Sequence, residues 1–112
     1  MMIVDFIAVG TPRVVSRAIE EYARAQGRVS AIVVPWESDA TTLSMSVTSV
    51  RSDGWAVEHT NLGTITLTNL GNESTAVRVV AQANPDAPVP KPVSDMFDRF
   101  AHQLQSRFQA AS

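Results

Sequence analysis

The chain has no cysteine among its 112 residues. That removes disulfides and thiolate metal sites together. Its two histidines make a thin inventory for any other metal centre. No apolar run reaches the ~18 residues that a membrane-crossing helix requires. The opening MMIVDFIAVG is interrupted by Asp5 and has no Lys or Arg ahead of it, so it reads as a strand and not as a signal peptide. Only 18% of the residues are charged, and the net charge is −2, so no global field gathers phosphate backbones. Arg13, Arg17, Arg24 and Arg28 are interleaved with Glu20 and Glu21, which makes a solvated face and not a phosphate track. Gly-rich phosphate loops, nucleophile elbows and His-Glu-x-x-His motifs are all missing from the sequence. These absences lead to an expectation of no cofactor, no metal, no nucleic acid and no membrane; they weigh against an enzyme without excluding one.

What is present is a globular balance, with 45% apolar residues in a length that suits one domain over residues 1–112. Residues 2–9 alternate with apolar side chains on nearly both faces, as in a strand whose second face is covered by a loop or a partner. Thr11 followed by Pro12 is a helix start, a hydroxyl cap ahead of the residue best suited to the first turn. Val15, Ala18, Ile19, Tyr22 and Ala23 follow at helical spacing, and Gly27 ends the helix. A strand from Val29 to Trp36 contains Pro35, which marks an edge or a bulge. Leu43, Met45 and Val47 then alternate with Thr42, Ser44, Ser46 and Thr48, so one face is apolar and one polar. Asp53-Gly54 reads as a tight hairpin, Trp55–Thr60 as a strand, Asn61-Leu62-Gly63 as a second turn, Thr64–Thr68 as another strand and Asn69–Glu73 as a polar loop. The last strand begins at Ser74. Residues 84–92, NPDAPVPKP, hold four of the six prolines and predict a stiff crossover. Ser94 then caps a long helix whose stripe is Val93, Phe97, Phe100, Leu104 and Phe108, with Met96 and Ala101 beside it. The fold class predicted is α+β: a curved antiparallel sheet of about six strands, in the order β-α-β-β-β-β-β-α, packed on that C-terminal helix.

Three segments carry a family likeness: DFIAVGTPRVVSRAI as first strand and helix start, GTITLTNLGNESTAVRVVAQANP as a late hairpin, and DMFDRFAHQLQSRF as a closing helix. With this element order the chain resembles a shortened member of the START and birch-pollen-allergen superfamily, also called SRPBCC or polyketide cyclase-like. The resemblance implies a helix-grip (TBP-like) fold. Members of that family commonly have seven strands and two early helices, where this chain shows about six strands and one early helix. They carry lipids, sterols or plant metabolites, act as cyclases, or bind partners, so fold-level likeness does not select among these functions.

The residues that bear on function are few. Phe97, Phe100 and Leu104 on the helical stripe face Met45, and with Trp55 and His59 they outline a slot for a small apolar or amphipathic ligand, His59 supplying the polar anchor. The same stripe also reads as plain core, and His59 as a histidine at a sheet end. His102 follows Asp98 by one helical turn, which reads as a surface pair beside Asp95–Arg99. Asp5 reads as an edge-strand charge that discourages aggregation. Three functions follow: a ligand-binding module of helix-grip type; a homodimeric interaction or structural protein with a closed cavity; and a cyclase- or hydrolase-like enzyme using His59 or Asp5. The apolar residues on both faces of the first two strands predict a homodimer, because two helices cannot cover every such face. A cytoplasmic location suits a chain without cysteine.

Overall fold

A computed structural model describes residues 3–53, 56–81 and 91–109 of the chain, with the backbone alone described for residues 51–53 and 56–60. The fold is α+β. Five strands form one antiparallel open sheet, and two helices accompany it, the second at the C-terminal end. Strand β1 is Ile3–Val9, helix α1 is Pro12–Gln26, β2 is Val29–Val33, β3 is Thr42–Asp53, β4 is Ala56–Gly71, β5 is Ser74–Ala81 and α2 is Lys91–Phe108. The strand order is β1-β5-β4-β3-β2, so four strands form a meander and the first strand joins it beside the last.

Helix α1 begins and ends as its residues dictate. The Thr11 hydroxyl accepts from the Val14 N–H at 3.4 Å, and Pro12 occupies the first turn. Gly27 adopts φ +75°, and its N–H donates to the Arg24 carbonyl. A left-handed residue at this position closes the helix, and only glycine takes it without a Cβ penalty. Pro35 ends β2: the chain leaves the ladder at Val33 and makes a short 3-10 turn over Pro35–Glu37, with Trp36 exposed. Asp39 then launches β3. Its carboxylate accepts from the Thr41 and Thr42 N–H groups, both at 2.8 Å, and from the Thr41 hydroxyl at 3.0 Å.

Among the described residues the count of about six strands is corrected to five. Asn61-Leu62-Gly63 is not a turn. It lies within the 16-residue strand β4, where the register moves from Val47↔Gly63 to Thr48↔Asn61 and leaves Leu62 as an extra residue. This is a β-bulge, and it buries Leu62 instead of exposing a loop. Gly63 is required here by close approach. A Cβ on it would overlap the Val80 carbonyl oxygen and come within 2.8 Å of Phe97 Cζ. The polar loop after β4 is tight as well: Gly71 pairs with Ser74, and the two intervening residues, Asn72 and Glu73, have φ of +52° and +56°. Asp53 pairs with Ala56 and so belongs to the ladder, while Gly54 and Trp55 of the expected hairpin lie outside the described residues. Helix α2 already includes Lys91, so Ser94 lies inside it and is not its cap. Pro92 fits near a helix start, because the first turn's N–H groups have no intrahelical acceptor. The rest of the proline-rich crossover lies outside the described residues.

Both helices contribute to a core on one face of the sheet. The cross-strand row Val33–Met45–Ile65–Val79–Val4 runs across all five strands, and Leu67, Val77 and Phe6 make the next row. Ile19 and Ala23 of α1 and Phe97, Phe100, Ala101 and Leu104 of α2 join this cluster. The two helices also meet through Tyr22, whose ring lies 6.0 Å from those of Phe100 and Phe108, stacked on the first and edge-on to the second. At one end of the sheet, buried Thr75 donates to the Gly10 carbonyl at 2.7 Å and satisfies its hydroxyl.

The other face of the sheet has no helix on it among the described residues. Its rows read Ile32–Ser46–Thr64–Val80–Ile3 and Ser44–Thr66–Arg78–Asp5. Ile3, Ile7, Val9 and Ile32 are exposed there. Strand β1 is therefore buried on one face only, with Val4, Phe6 and Ala8 inward.

Candidate functional site

The residues expected to line a slot divide into two groups. Met45, Phe97, Phe100 and Leu104 are brought together as expected, and all four are buried in the same apolar cluster. They satisfy both the slot reading and the plain-core reading of the stripe. Trp55 lies outside the described residues, and His59 is described only as a backbone position in β4, paired with Val50. His102 is exposed on α2, and its Nδ1 lies 2.7 Å from the backbone carbonyl oxygen of Asp98, not from the carboxylate. Asp5 is exposed on the outer sheet face. Its carboxylate accepts from Arg78 Nε at 2.8 Å and from Arg78 Nη2 at 3.3 Å, directly across the β1–β5 ladder. That pairing raises the Arg78 pKa through the hydrogen bond first and charge attraction second. Asp5 is therefore an exposed, paired carboxylate and not a buried one. Among the described residues no three metal-ligating side chains converge.

A concave site does form beside the stripe, at a place the sequence alone does not single out. It is a cleft of about 440 Å³ between the C-terminal end of α1, the start of β2 and the middle of α2. Val29, Met96 and Phe100 supply its apolar wall, and Gln26, Arg28, Arg99 and Gln103 its polar one. Each group is placed by a local rule already described. Gly27 turns the chain out of α1 and delivers Arg28 and Val29 side by side, so one faces solvent and the other the core. On α2, Met96, Phe100 and Gln103 follow at helical spacing, and Arg99 flanks them. The Tyr22 hydroxyl donates to Gln103 Oε1 at 3.2 Å, and the Arg107 guanidinium lies 5.3 Å from the centre of the Tyr22 ring. These contacts fix the distance between the helices beside the cleft.

The electrostatics of the cleft differ from those of the chain. The protein is acidic overall, yet this cleft carries two guanidiniums and no carboxylate among its lining residues. The ion pair found among the described residues joins Asp5 to Arg78, and Asp95 lies beyond 4 Å from Arg99 despite its helical spacing. Guanidinium groups are suited to carboxylate and phosphate oxygens because their planar fork presents two parallel donors. The arrangement can hold an anionic head at its rim and an apolar body against Phe100 and Val29. Sequence reasoning missed it because Arg28 reads as part of a solvated helix face and Arg99 as a helical surface pair. Only the packing of α2 against the α1–β2 corner puts them in one cleft.

No protein family, no curated protein and no solved structure matches this chain.

Proposed function

We propose that this chain is a small-molecule-binding module of helix-grip type, and that it takes an amphipathic anion in the cleft between α1, β2 and α2. The observation that carries this reading is the joining of an apolar wall, Val29, Met96 and Phe100, with the guanidiniums of Arg28 and Arg99, which have no ion-pair partner among the described residues, in one concavity. The cleft volume falls in the ~300–1,000 Å³ range of small-molecule sites. The element order adds support: a first strand beside the last, a helix between the first two strands and a long closing helix on the sheet follow the plan of START-like proteins. Carriage or sensing accounts for such a site without a reaction. A cytoplasmic setting belongs to the same reading.

The test is thermal denaturation with matched ligand pairs: decanoate against decanol, and 4-phenylbutyrate against 4-phenylbutanol. At ten times its Kd a ligand stabilises by about 1.4 kcal/mol, which is about 5 °C for a domain of this size. The acids shift the melting temperature, the alcohols shift it less, and Arg28→Gln or Arg99→Gln removes the difference. Equal shifts by acid and alcohol, or no shift by either, sink the proposal.

A further inference from the structure

The outer face of the sheet lies away from the cleft and carries a different kind of information. Most soluble antiparallel sheets with one open face show polar residues there. Here the two edge strands turn isoleucines outward, with Ile3 at 52%, Ile7 at 49% and Ile32 at 57% exposure; in the same rows β5 adds Val80 and Ala76, and β3 and β4 turn out Ser and Thr. We propose that this face is the contact surface between two copies of the chain, packed sheet on sheet about a two-fold axis.

Charge is the first reason for naming a second copy as the occupant. Asp5 and Arg78 are directly opposed across β1 and β5 and joined by two hydrogen bonds. They cancel within one chain, so among the described residues of this face a second copy meets no like-charge field, and a strongly charged partner meets nothing complementary. Hydroxyl chemistry is the second. Ser46, Thr64 and Thr66 form the centre of the face, and a hydroxyl is both donor and acceptor, so any two of them that meet across the axis can bond. An isologous contact demands that kind of self-complementarity. Size is the third. Five strands at ~4.8 Å spacing and seven residues at ~3.3 Å rise give a face of about 24 by about 23 Å. That footprint suits a standard interface of ~800 Å² of accessible surface per partner.

Packing through the face is favoured over pairing through the strand edges. The free edge of β1 is met at Ala8 by the backbone of Gln109, just past α2. The other edge strand, β2, has five residues and gives way to Pro35, which has no N–H to offer a partner strand.

Sedimentation equilibrium of the full chain from 5 to 200 µM tests the proposal. The expected mass is about 24 kDa, twice the 12.1 kDa of one chain. Ile7→Lys and Ile32→Lys each raise the dissociation constant by at least ~100-fold, because each buries a charge against its own kind. Val14→Lys, on the exposed side of α1, leaves it unchanged. Hydroxyl-radical footprinting of the unaltered protein gives a readout that no variant's folding can confuse. Oxidation of Ile3, Ile7 and Ile32 falls as concentration rises, while that of Val14 stays constant. A 12 kDa species at 200 µM, a dimer indifferent to both lysine variants, or unchanged oxidation of the three isoleucines overturns the proposal.

Discussion

Replacing Gly63 by alanine adds one methyl group where the chain has no room for it. Gly63 sits at the bulge in β4, opposite Val47 in β3 and Ala81 in β5. The new Cβ would overlap the Val80 carbonyl oxygen and lie 2.8 and 3.1 Å from Phe97 Cζ and Cε1. The oxygen belongs to the neighbouring strand's backbone and cannot rotate away. The ring is only 2% exposed and is held by the core. Overpacking of this kind costs ~1–3 kcal/mol, and two unyielding neighbours put the change near the upper end. Against it stands the lower entropy of an unfolded chain with alanine, a gain of ~0.4–1 kcal/mol. The net expectation is a loss of about 2 kcal/mol. With a urea slope of ~1–1.5 kcal/mol/M, the unfolding midpoint followed by far-UV circular dichroism falls by roughly 1.5 M at constant slope. Phe97→Leu removes the two ring atoms but not the Val80 oxygen, so the double variant recovers part of the loss, with a coupling above ~0.5 kcal/mol. A loss for Gly63→Ala below ~0.5 kcal/mol, or strict additivity with Phe97→Leu, would refute the claim that this glycine exists to admit the ring.

Four further outcomes are expected. Phe100→Ala costs about 3–5 kcal/mol in the same assay, the range for a buried phenylalanine, and a loss under ~1 kcal/mol would place the stripe outside the core. Gly27→Ala costs about 1 kcal/mol because alanine must take a positive φ, and the melting temperature falls accordingly. Glu73→Gly raises stability by up to ~1 kcal/mol, since a non-glycine residue now sits at φ +56° in the two-residue turn; a decrease would show that Glu73 has a compensating contact. Asp39 has a pKa lowered first by the Thr41 N–H, then by the Thr42 N–H and the Thr41 hydroxyl. Its folded value is below its unfolded one, so its stabilising contribution is full above an unfolded pKa of ~3.9 and is lost as pH falls through the folded value. Asp39→Asn therefore flattens the acid limb of stability against pH, and an NMR titration midpoint at or above ~3.9 would contradict the hydrogen-bond assignment.

The parts of this fold that local chemistry controls were legible in the sequence. Thr11-Pro12 and Gly27 bound α1 because caps act within one turn. The alternation of Leu43, Met45 and Val47 found the buried face of β3, and the α2 stripe found its buried side. The parts controlled by distant chain were not. Asn-Leu-Gly serves a turn and a bulge equally well by propensity. What decides for the bulge is that β3 continues opposite it to Asp53 and that Phe97 arrives from α2. A hydroxyl at Ser94 signals a cap, yet the helix already includes Lys91, Pro92 and Val93, because a proline is tolerated near a helix start. The cleft was invisible for the same reason as the bulge. Arg28 and Arg99 share no local pattern, and only tertiary packing makes them neighbours.

The placing of β1 beside β5 has a consequence for how the chain assembles. Strands β2 to β5 are joined in sequence as antiparallel neighbours, so each ladder among them can zip from its own hairpin. The β1–β5 ladder has no such start: Gly10 and Thr75, which meet at its end, are 65 positions apart. Each doubling of loop length costs about 0.6 kcal/mol of closure entropy, so relative to a two-residue hairpin this closure costs roughly 3 kcal/mol before any contact forms. Strand β1 is thus made before the other four strands of this sheet and is the last of them to find its place. Until β5 exists, Val4, Phe6 and Ala8 have no sheet to join, and during synthesis β1 is the strand of this sheet most open to capture by a chaperone or by another chain's edge.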